Sequence, residues 1–271
     1  MTAQAGSTAA DRLPSVFLSH GSPMHALEAG AACEAWTRLA QTLPRPRALL
    51  IASAHWETAH PALTGSARPD TIHDFYGFPA PMYRIRYPAP GAPDVAARAG
   101  ELLRQAGFEV EIDAERGLDH GAWSPLLHMY PDAAIPVLQL SVQTMLGPQH
   151  HLALGRALRP LATENILVIG SGHMTHNLGD RRPGGEAAVP LDYVRAFQDW
   201  TNARVQARDL DALTGYRRQT SHGRRAHPSE EHFLPLFFAL GAATDGYRTE
   251  RICAGIESGA LAMDSYCFHS A

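Results

Sequence analysis

The pattern on which we base the fold is found in the stretch Val16-Phe17-Leu18-Ser19-His20-Gly21-Ser22-Pro23. Its apolar run is typical of a buried strand, and it ends at a histidine followed by residues that favour a turn. Two later apolar runs end in the same way, one at His55 and the other at His173 and His176. Because ligands bind outside the carboxyl ends of the strands in an open α/β sheet, three histidine endings predict a metal site there.

Strands and helices alternate along the chain, which favours one α/β domain. We predict a central, mostly parallel or mixed sheet flanked by helices, with the metal site at the carboxyl ends of its strands. Residues 1–12 are expected to be a flexible tail, and residues 13–271 a single catalytic domain. The predicted helices cover residues 27–43, 94–106, 149–162 and 191–208, and a further helix starts at Pro228-Ser229-Glu230-Glu231. The predicted strands include residues 108–112 and 135–142, with one or two edge strands from Thr249 onward.

The composition argues against several classes of protein. Hydrophobic residues make up 45% of the 271 and charged residues 18%, as in ordinary globular proteins. The net charge of −4 indicates no basic surface for nucleic acid or an anionic membrane. No apolar run approaches the roughly 18 residues of a membrane span, and we expect no signal peptide. The three cysteines have no metal-binding spacing and suggest no disulfide framework, so we predict a reduced, cytoplasmic protein. We expect it to be a monomer or a small homo-oligomer.

Histidine is the residue type that stands out, with 15 in the chain. Neutral imidazole suits iron, zinc, copper and nickel. Three ligands from separate elements are typical of catalytic metal sites, whereas structural zinc sites usually close with four. His20 and His55 are therefore the first two candidate ligands. Of His173 and His176, we expect only one to face the crevice.

The region around residue 232 offers several further candidates. His232 lies near the predicted helix start, and the adjacent Glu230 and Glu231 are alternative ligands or simply stabilise the helix dipole. His227 either lines the site or belongs to a loop. The residues alone leave these alternatives open.

Residues 60–93 form a long segment rich in proline, glycine and aromatic residues. Long irregular segments inside compact domains are commonly functional, so we predict a lid or a pocket wall. The segment and its surroundings offer an aromatic wall for a substrate, formed by Trp56, Phe75, Tyr76 and Phe78. Arg84 or Arg86 is a candidate for binding a substrate carboxylate.

Six motifs, in this order, resemble one known family. They are Phe17-Leu18-Ser19-His20-Gly21-Ser22-Pro23-Met24, Ser53-Ala54-His55-Trp56, Thr71-Ile72-His73-Asp74-Phe75, Asp119-His120-Gly121, His176-Asn177-Leu178 and Pro228-Ser229-Glu230-Glu231-His232-Phe233-Leu234-Pro235-Leu236. The chain resembles the DOPA-dioxygenase type of class III extradiol dioxygenases, which belong with the LigB-like catalytic subunits. The resemblance extends from about residue 13 to residue 268.

The resemblance implies a non-haem Fe(II) enzyme that opens the ring of a small aromatic diol with O2. By motif matching, His20, His55 and His232 fall at the metal-ligand positions. His176 falls at a position that transfers protons or serves as a fourth ligand when Zn(II) is bound, and we favour proton transfer. His120 falls at a pocket position that hydrogen bonds substrate or oxygen. The wider class uses two histidines and one carboxylate, whereas here, as in the DOPA type, the third position is histidine.

We assign the substrate pocket to Ser22, His73, Phe75 and Tyr76, and we expect a DOPA-like catechol. Two other functions fit the same residues. Three histidines also suit a zinc-dependent hydrolase in which metal-bound water is the nucleophile. A non-catalytic binding module that keeps the scaffold is the third alternative, although the presence of every matched histidine argues against it. Metal preference and oxygen consumption distinguish the two enzymes.

Overall fold

A computed structural model describes residues 12–270 of the chain. The predicted tail therefore lies almost wholly outside the described residues. Within them, the chain forms one large sheet, a separate two-stranded ribbon and helices on both sides of the large sheet. The predicted α/β fold with a mixed sheet is confirmed.

The large sheet has eight strands, and its central four are parallel. In spatial order the strands are β4 (Glu111–Asp113), β3 (Ala62–Thr64), β5 (Val137–Val142), β2 (Ala48–Glu57), β6 (Ile166–Gly172), β1 (Ser15–Ser19), β10 (Ser265–His269) and β7 (Arg248–Cys253). Strands β5, β2, β6 and β1 run parallel to one another, whereas β3 pairs antiparallel with β5, and β10 pairs antiparallel with both β1 and β7. The carboxyl ends of β1, β2 and β6 consequently meet at one edge.

The central strands are apolar throughout because helices cover both faces of the sheet. On β2, Leu49 and Ile51 pack in one core cluster with Trp36 and Trp123. The intervening Leu50 packs in a second cluster on the opposite face. This alternation is the side-chain period of a strand, and it explains why these strands read as continuous hydrophobic runs.

Besides several short 3-10 helices, nine α-helices lie in the described residues. They are α1 (Ala31–Thr42), α2 (Pro93–Gln105), α3 (His120–Met129), α4 (Gly147–Leu158), α5 (Asp192–Ala207), α6 (Leu210–Thr214), α7 (Tyr216–Gln219), α8 (Gly223–Ala226) and α9 (Leu234–Ala242). Helices α1 and α3 cover one face of the sheet, and α2, α4 and α9 cover the other. Helix α5 packs against α9 and the β10 side of the sheet.

Two predicted helix starts were wrong. Helix α1 begins at Ala31, not at residue 27, because a short 3-10 helix, Pro23–Ala26, capped by Ser22, comes first. Helix α9 begins at Leu234, so Pro228-Ser229-Glu230-Glu231 forms turns before it. Both glutamates instead bond neighbouring side chains, as described below.

The end of the chain supplies two strands of the large sheet, of which β7 is at the edge and β10 is interior. The ribbon of β8 (Ile256–Glu257) and β9 (Leu261–Ala262) lies between them in sequence. All three cysteines are free. Among the described helices, none combines the length and the apolar character that crossing a membrane requires.

Candidate active site

Three histidines meet where the parallel strands end. His20 directly follows β1, His55 lies near the end of β2, and the turn after β6 begins at His173. His232 reaches the same edge from the turns before α9. Its approach requires Gly172, because a Cβ on that residue would lie 2.2 Å from the His232 carbonyl oxygen. The glycine at the end of β6 therefore lets the fourth segment pack directly on the strand.

The imidazoles of His20, His55 and His232 converge through their Nε2 atoms. The Nε2 of His55 lies 3.0 Å from that of His20 and 3.2 Å from that of His232. Two nitrogens bound to one tetrahedral metal at about 2.0–2.1 Å are separated by roughly 3.3 Å. The observed spacing is close to that of metal ligands.

The Nδ1 partners of these rings decide where the ring protons lie. His20 Nδ1 donates to Ser171 Oγ at 3.0 Å, since that hydroxyl itself donates to the Gly121 carbonyl. His232 Nδ1 donates to Glu231 Oε1 at 2.9 Å. His55 Nδ1 lies 3.2 Å from Asp74 Oδ2. Each Nε2 is then unprotonated and carries a lone pair. Three converging lone pairs repel one another unless a cation lies between them.

Burial keeps these rings in the form that binds metals. It lowers the pKa of His20, His55 and His232 well below the ordinary value, and the neighbouring histidines lower it further. Asp74 opposes the effect at His55. Neutral imidazoles with a buried, uncharged donor set fit a divalent transition metal, which supplies the positive charge that the rings lack.

Asp74 connects two histidines of the site. Its carboxylate accepts hydrogen bonds from His120 Nδ1 and from the His120 backbone N–H, both at 3.0 Å. Burial alone would raise the pKa of Asp74, but these bonds and the charge of His120 lower it to about 2. The ring of His120 lies 3.9 Å from that of His55, centroid to centroid. Asp74 thus orients a candidate ligand and a candidate proton-transfer residue together; its motif was recognised in the sequence, but its role was not.

His176 lies against the metal-ligand group without converging on the same point. Its ring stacks on His232 at 3.4 Å between centroids, and its Nδ1 is 3.9 Å from Glu231 Oε1. Burial, with further contributions from His120 and Arg181, lowers the pKa of His176 to about 4. The ring is therefore neutral at pH 7 and available to accept a proton.

The two glutamates proposed as alternative ligands have different roles. Glu231 bonds the Nδ1 of His232, so it orients that ring from behind. Glu230 accepts from the Tyr216 hydroxyl at 2.8 Å and pairs with Arg217 at 2.9 Å, outside the cavity. His227 is fully buried, donates from Nε2 to the Met174 carbonyl and does not line the cavity.

A cavity of about 240 Å³ opens above the histidines. Of the four residues assigned to the substrate pocket, Ser22 and Phe75 line this cavity, and Phe78 lines it from the same loop as Phe75. His73 and Tyr76 do not line it. His73 Nε2 donates to the Ile85 carbonyl at 3.0 Å, and Tyr76 is 92% exposed.

The candidate aromatic and basic residues are only partly brought to the cavity. The guanidinium carbon of Arg116 lies over the ring of Trp56, 4.6 Å from the ring centroid. Trp56, Arg84 and Arg86 do not line the cavity. Arg86 instead donates to backbone carbonyls of its own loop. Arg181 also lines the cavity, although it belongs to none of the six sequence motifs.

The prediction that only one histidine of the β6 turn faces the crevice was wrong, because both His173 and His176 line the cavity. His173 Nδ1 donates to the Ala262 carbonyl at 3.2 Å, which places the lone pair on Nε2. That Nε2 is buried and has no hydrogen-bond partner among residues 12–270. A hydroxyl entering the cavity can supply the missing donor.

Comparisons with known proteins agree with this geometry. Residues 14–257 match the family of the catalytic LigB subunit of aromatic ring-opening dioxygenase. A 4,5-DOPA dioxygenase extradiol from Beta vulgaris is 41% identical, with 94% of this chain and 96% of the relative covered. One with the same name from Escherichia coli K12 is also 41% identical, with 93% of each chain covered.

A solved structure shares the fold. It is the crystal structure of an uncharacterised protein from Escherichia coli K12, with a TM-score of 0.81 and 35% sequence identity, covering 94% of this chain and 99% of the other. The hydrolase and the binding module are not favoured by any of these matches. The histidine cluster and the matches together confirm the resemblance found in the motifs: the chain belongs to the LigB family and is a metal-dependent extradiol dioxygenase that opens an aromatic ring.

Proposed function

We propose that the protein uses Fe(II) and O2 to cleave the ring of a DOPA-like catechol next to its two hydroxyls. The single observation that carries the proposal is the convergence of three imidazole lone pairs on the floor of an aromatic-walled cavity. The names of the relatives from Beta vulgaris and Escherichia coli support the choice of substrate. The catalytic domain is proposed to comprise residues 13–271.

His20, His55 and His232 would hold the metal, and Ser171, Asp74 and Glu231 would keep their Nε2 atoms directed at it. Bound Fe(II) supplies the one-electron chemistry that activates O2 and the positive charge that favours the ionised diol. Zn(II) fits the same donors, and His176 lies close enough to His232 to become a fourth ligand with that metal.

Proton transfer falls to His176. The ring is neutral at pH 7, so it would accept a proton from a catechol hydroxyl and hold that proton at the site for later return. His120, held by Asp74, offers a second imidazole beside His55. His173 would accept a hydrogen bond from a substrate hydroxyl through its unpartnered Nε2.

The shape of the cavity supports a single-ring substrate. Its volume of about 240 Å³ is below the roughly 300–1,000 Å³ of pockets for drug-sized ligands. Phe75 and Phe78 lie edge to face, with centroids 5.1 Å apart, at the wall. An aromatic substrate can pack against them while its hydroxyls point to the histidines.

Oxygen consumption tests the proposal. Protein loaded anaerobically with Fe(II) should consume O2 with DOPA or another catechol and form a coloured ring-opened product, and protein loaded with Zn(II) should not. If neither form consumes O2 with any catechol and the zinc form hydrolyses esters or amides, the proposal is wrong. The cytoplasmic location and the oligomeric state remain predictions from the sequence.

A further inference from the structure

We propose that Arg181 selects catechols that have a carboxylate on their side chain, by binding that carboxylate at the mouth of the cavity. The inference rests on the proposed function and names its substrate class. It concerns a residue outside the six motifs, and it does not involve the metal ligands.

Arg181 is placed at the cavity by the turn after β6. Arg181 follows His176 by five residues and directly follows a short 3-10 helix, Leu178–Asp180. The backbone N–H of Arg181 donates to the Leu178 carbonyl. The side chain is exposed and lines the cavity together with Phe75 and Phe78. Among the described residues that line the cavity it is the one lysine or arginine, and none of them is acidic.

The guanidinium of Arg181 is free to bind a ligand. Its charged neighbours are already paired: Asp180 accepts from Arg225 at 2.9 Å, and Arg182 donates to the Val189 carbonyl at 3.3 Å. No carboxylate of residues 12–270 lies within 4.0 Å of Arg181. The surrounding segment has therefore left this cation without an internal partner.

A depression on the other side of Arg181 contains acidic residues, but they do not neutralise it. Glu186 accepts from the Ala31 backbone N–H at 3.1 Å, and Glu257 pairs with His25 at 3.1 Å. Glu28 lines the same depression without an ion pair to Arg181. None of these three glutamates therefore forms an ion pair with Arg181.

The positions of the histidines and of Arg181 suit a catechol with two hydroxyls at one end and a carboxylate at the other. Its hydroxyls belong at the histidine floor, so a substituent on the far side of the ring points to the mouth. A guanidinium binds a carboxylate through two parallel hydrogen bonds, whereas an ammonium group or a methyl group gains nothing there. An amino acid or a propanoate side chain should therefore be preferred over an amine or an alkyl group.

The test compares Arg181→Gln with Arg181→Lys and with the neighbouring control Arg182→Gln. Substrates are DOPA, dihydroxyphenylpropanoate, dopamine and methylcatechol. For Fe(II)-loaded protein kcat and KM are measured, and for Zn(II)-loaded protein the Kd of each catechol is measured by calorimetry. Arg181→Gln should raise KM and Kd for the two acids by about tenfold or more and change those for methylcatechol less than about twofold.

Arg181→Lys should recover part of the loss because it keeps the charge without the fork, and Arg182→Gln should behave as the wild type. If Arg181→Gln leaves KM and Kd for the two acids unchanged, or weakens binding of methylcatechol equally, the proposed role of Arg181 is wrong. The proposed function would be unaffected by that result. A wild-type protein that neither binds nor turns over any catechol would overturn the proposed function and this inference with it.

Discussion

The ring of His176 stacks on the ring of His232, with 3.4 Å between centroids and 14° between planes. Two stacked imidazoles cannot both be cationic at that separation without strong repulsion. Burial and nearby positive charge keep both neutral. The stack therefore places the proposed proton acceptor beside a proposed metal ligand without making it part of the converging group.

Replacing His176 with phenylalanine tests this division of roles. The substitution keeps an aromatic ring on His232 but removes the proton acceptor, so kcat should fall by roughly a hundredfold or more. Metal content, measured by plasma emission spectrometry, should stay near that of the wild type. The exposed His60 provides the control His60→Phe, which should change neither quantity. Loss of metal together with activity would show that His176 is a ligand.

Asp74 is expected to matter for metal binding through its contacts with His55 and His120. Asp74→Asn leaves His55 and His120 without their charged hydrogen-bond acceptor, so the affinity for metal should fall by roughly 10–100-fold. Competition with a chelating dye measures the change. The exposed Asp70 lies on the same loop, and Asp70→Asn should leave the affinity unchanged. Equal affinities for wild type and Asp74→Asn would mean that His55 needs no such support.

His173 should contribute to binding of the diol, because it lines the cavity and its buried Nε2 has no hydrogen-bond partner among residues 12–270. His173→Phe keeps the shape of the ring and should raise the Kd of a catechol for the Zn(II)-loaded protein by roughly fivefold or more. His173→Gln retains an acceptor and should restore part of the affinity. If the phenylalanine variant binds the diol as tightly as the wild type, His173 Nε2 accepts no hydrogen bond from the diol.

A buried pair outside the cavity makes stability depend on pH. His25 Nε2 lies 3.1 Å from Glu257 Oε2, and its Nδ1 lies 3.5 Å from Cys33 Sγ. Burial opposes the charged form of His25, but these two partners raise its pKa to about 10. Folded His25 therefore keeps a proton that the unfolded chain releases above about pH 6.5. The pKa of Cys33 is lowered to about 6, however, so the thiol proton released by the folded protein offsets it until about pH 9.

Taken alone, the stabilisation from His25 should be complete below about pH 6.5 and should disappear as the pH rises through about 10. Urea unfolding of the wild type and of His25→Gln measures it as the difference between their free energies of unfolding. Because Cys33 offsets the loss, that difference should change little up to about pH 9 and shrink towards about pH 10. His60→Gln is the surface control. A difference that grows above about pH 9 would have the wrong sign for a raised pKa.

Much of the scaffold was predictable because it depends on local pattern. The strands that lead to His20, His55 and His173 are apolar runs buried on both faces, and their parallel neighbours bring the three ends together. Helices α2 and α5 begin and end within about two residues of the predicted bounds. The positions of these strands and helices can be predicted without knowing how the loops fold.

The remainder of the site depends on how the loops fold against each other. Whether Phe75 or Tyr76 turns inward is settled by the packing of residues 60–93, which has no periodic signal. The start of α9 was misplaced because Glu230 and Glu231 bond Arg217 and His232, although their type and position suit a helix start. Arg181 lies at the cavity because of the way the turn after β6 folds, and no recognisable sequence motif includes it.

Isotope labelling of the product tests the central claim most directly. Fe(II)-loaded protein is allowed to react with a catechol under ¹⁸O2, and the product is reduced with borohydride at once so that its aldehyde oxygen cannot exchange with water. Mass spectrometry should find two labelled oxygen atoms in one ring-opened molecule, as a dioxygenase requires. A ring-opened product in which the new oxygen comes from water, or an unopened ring, would contradict the assignment of this site to extradiol cleavage.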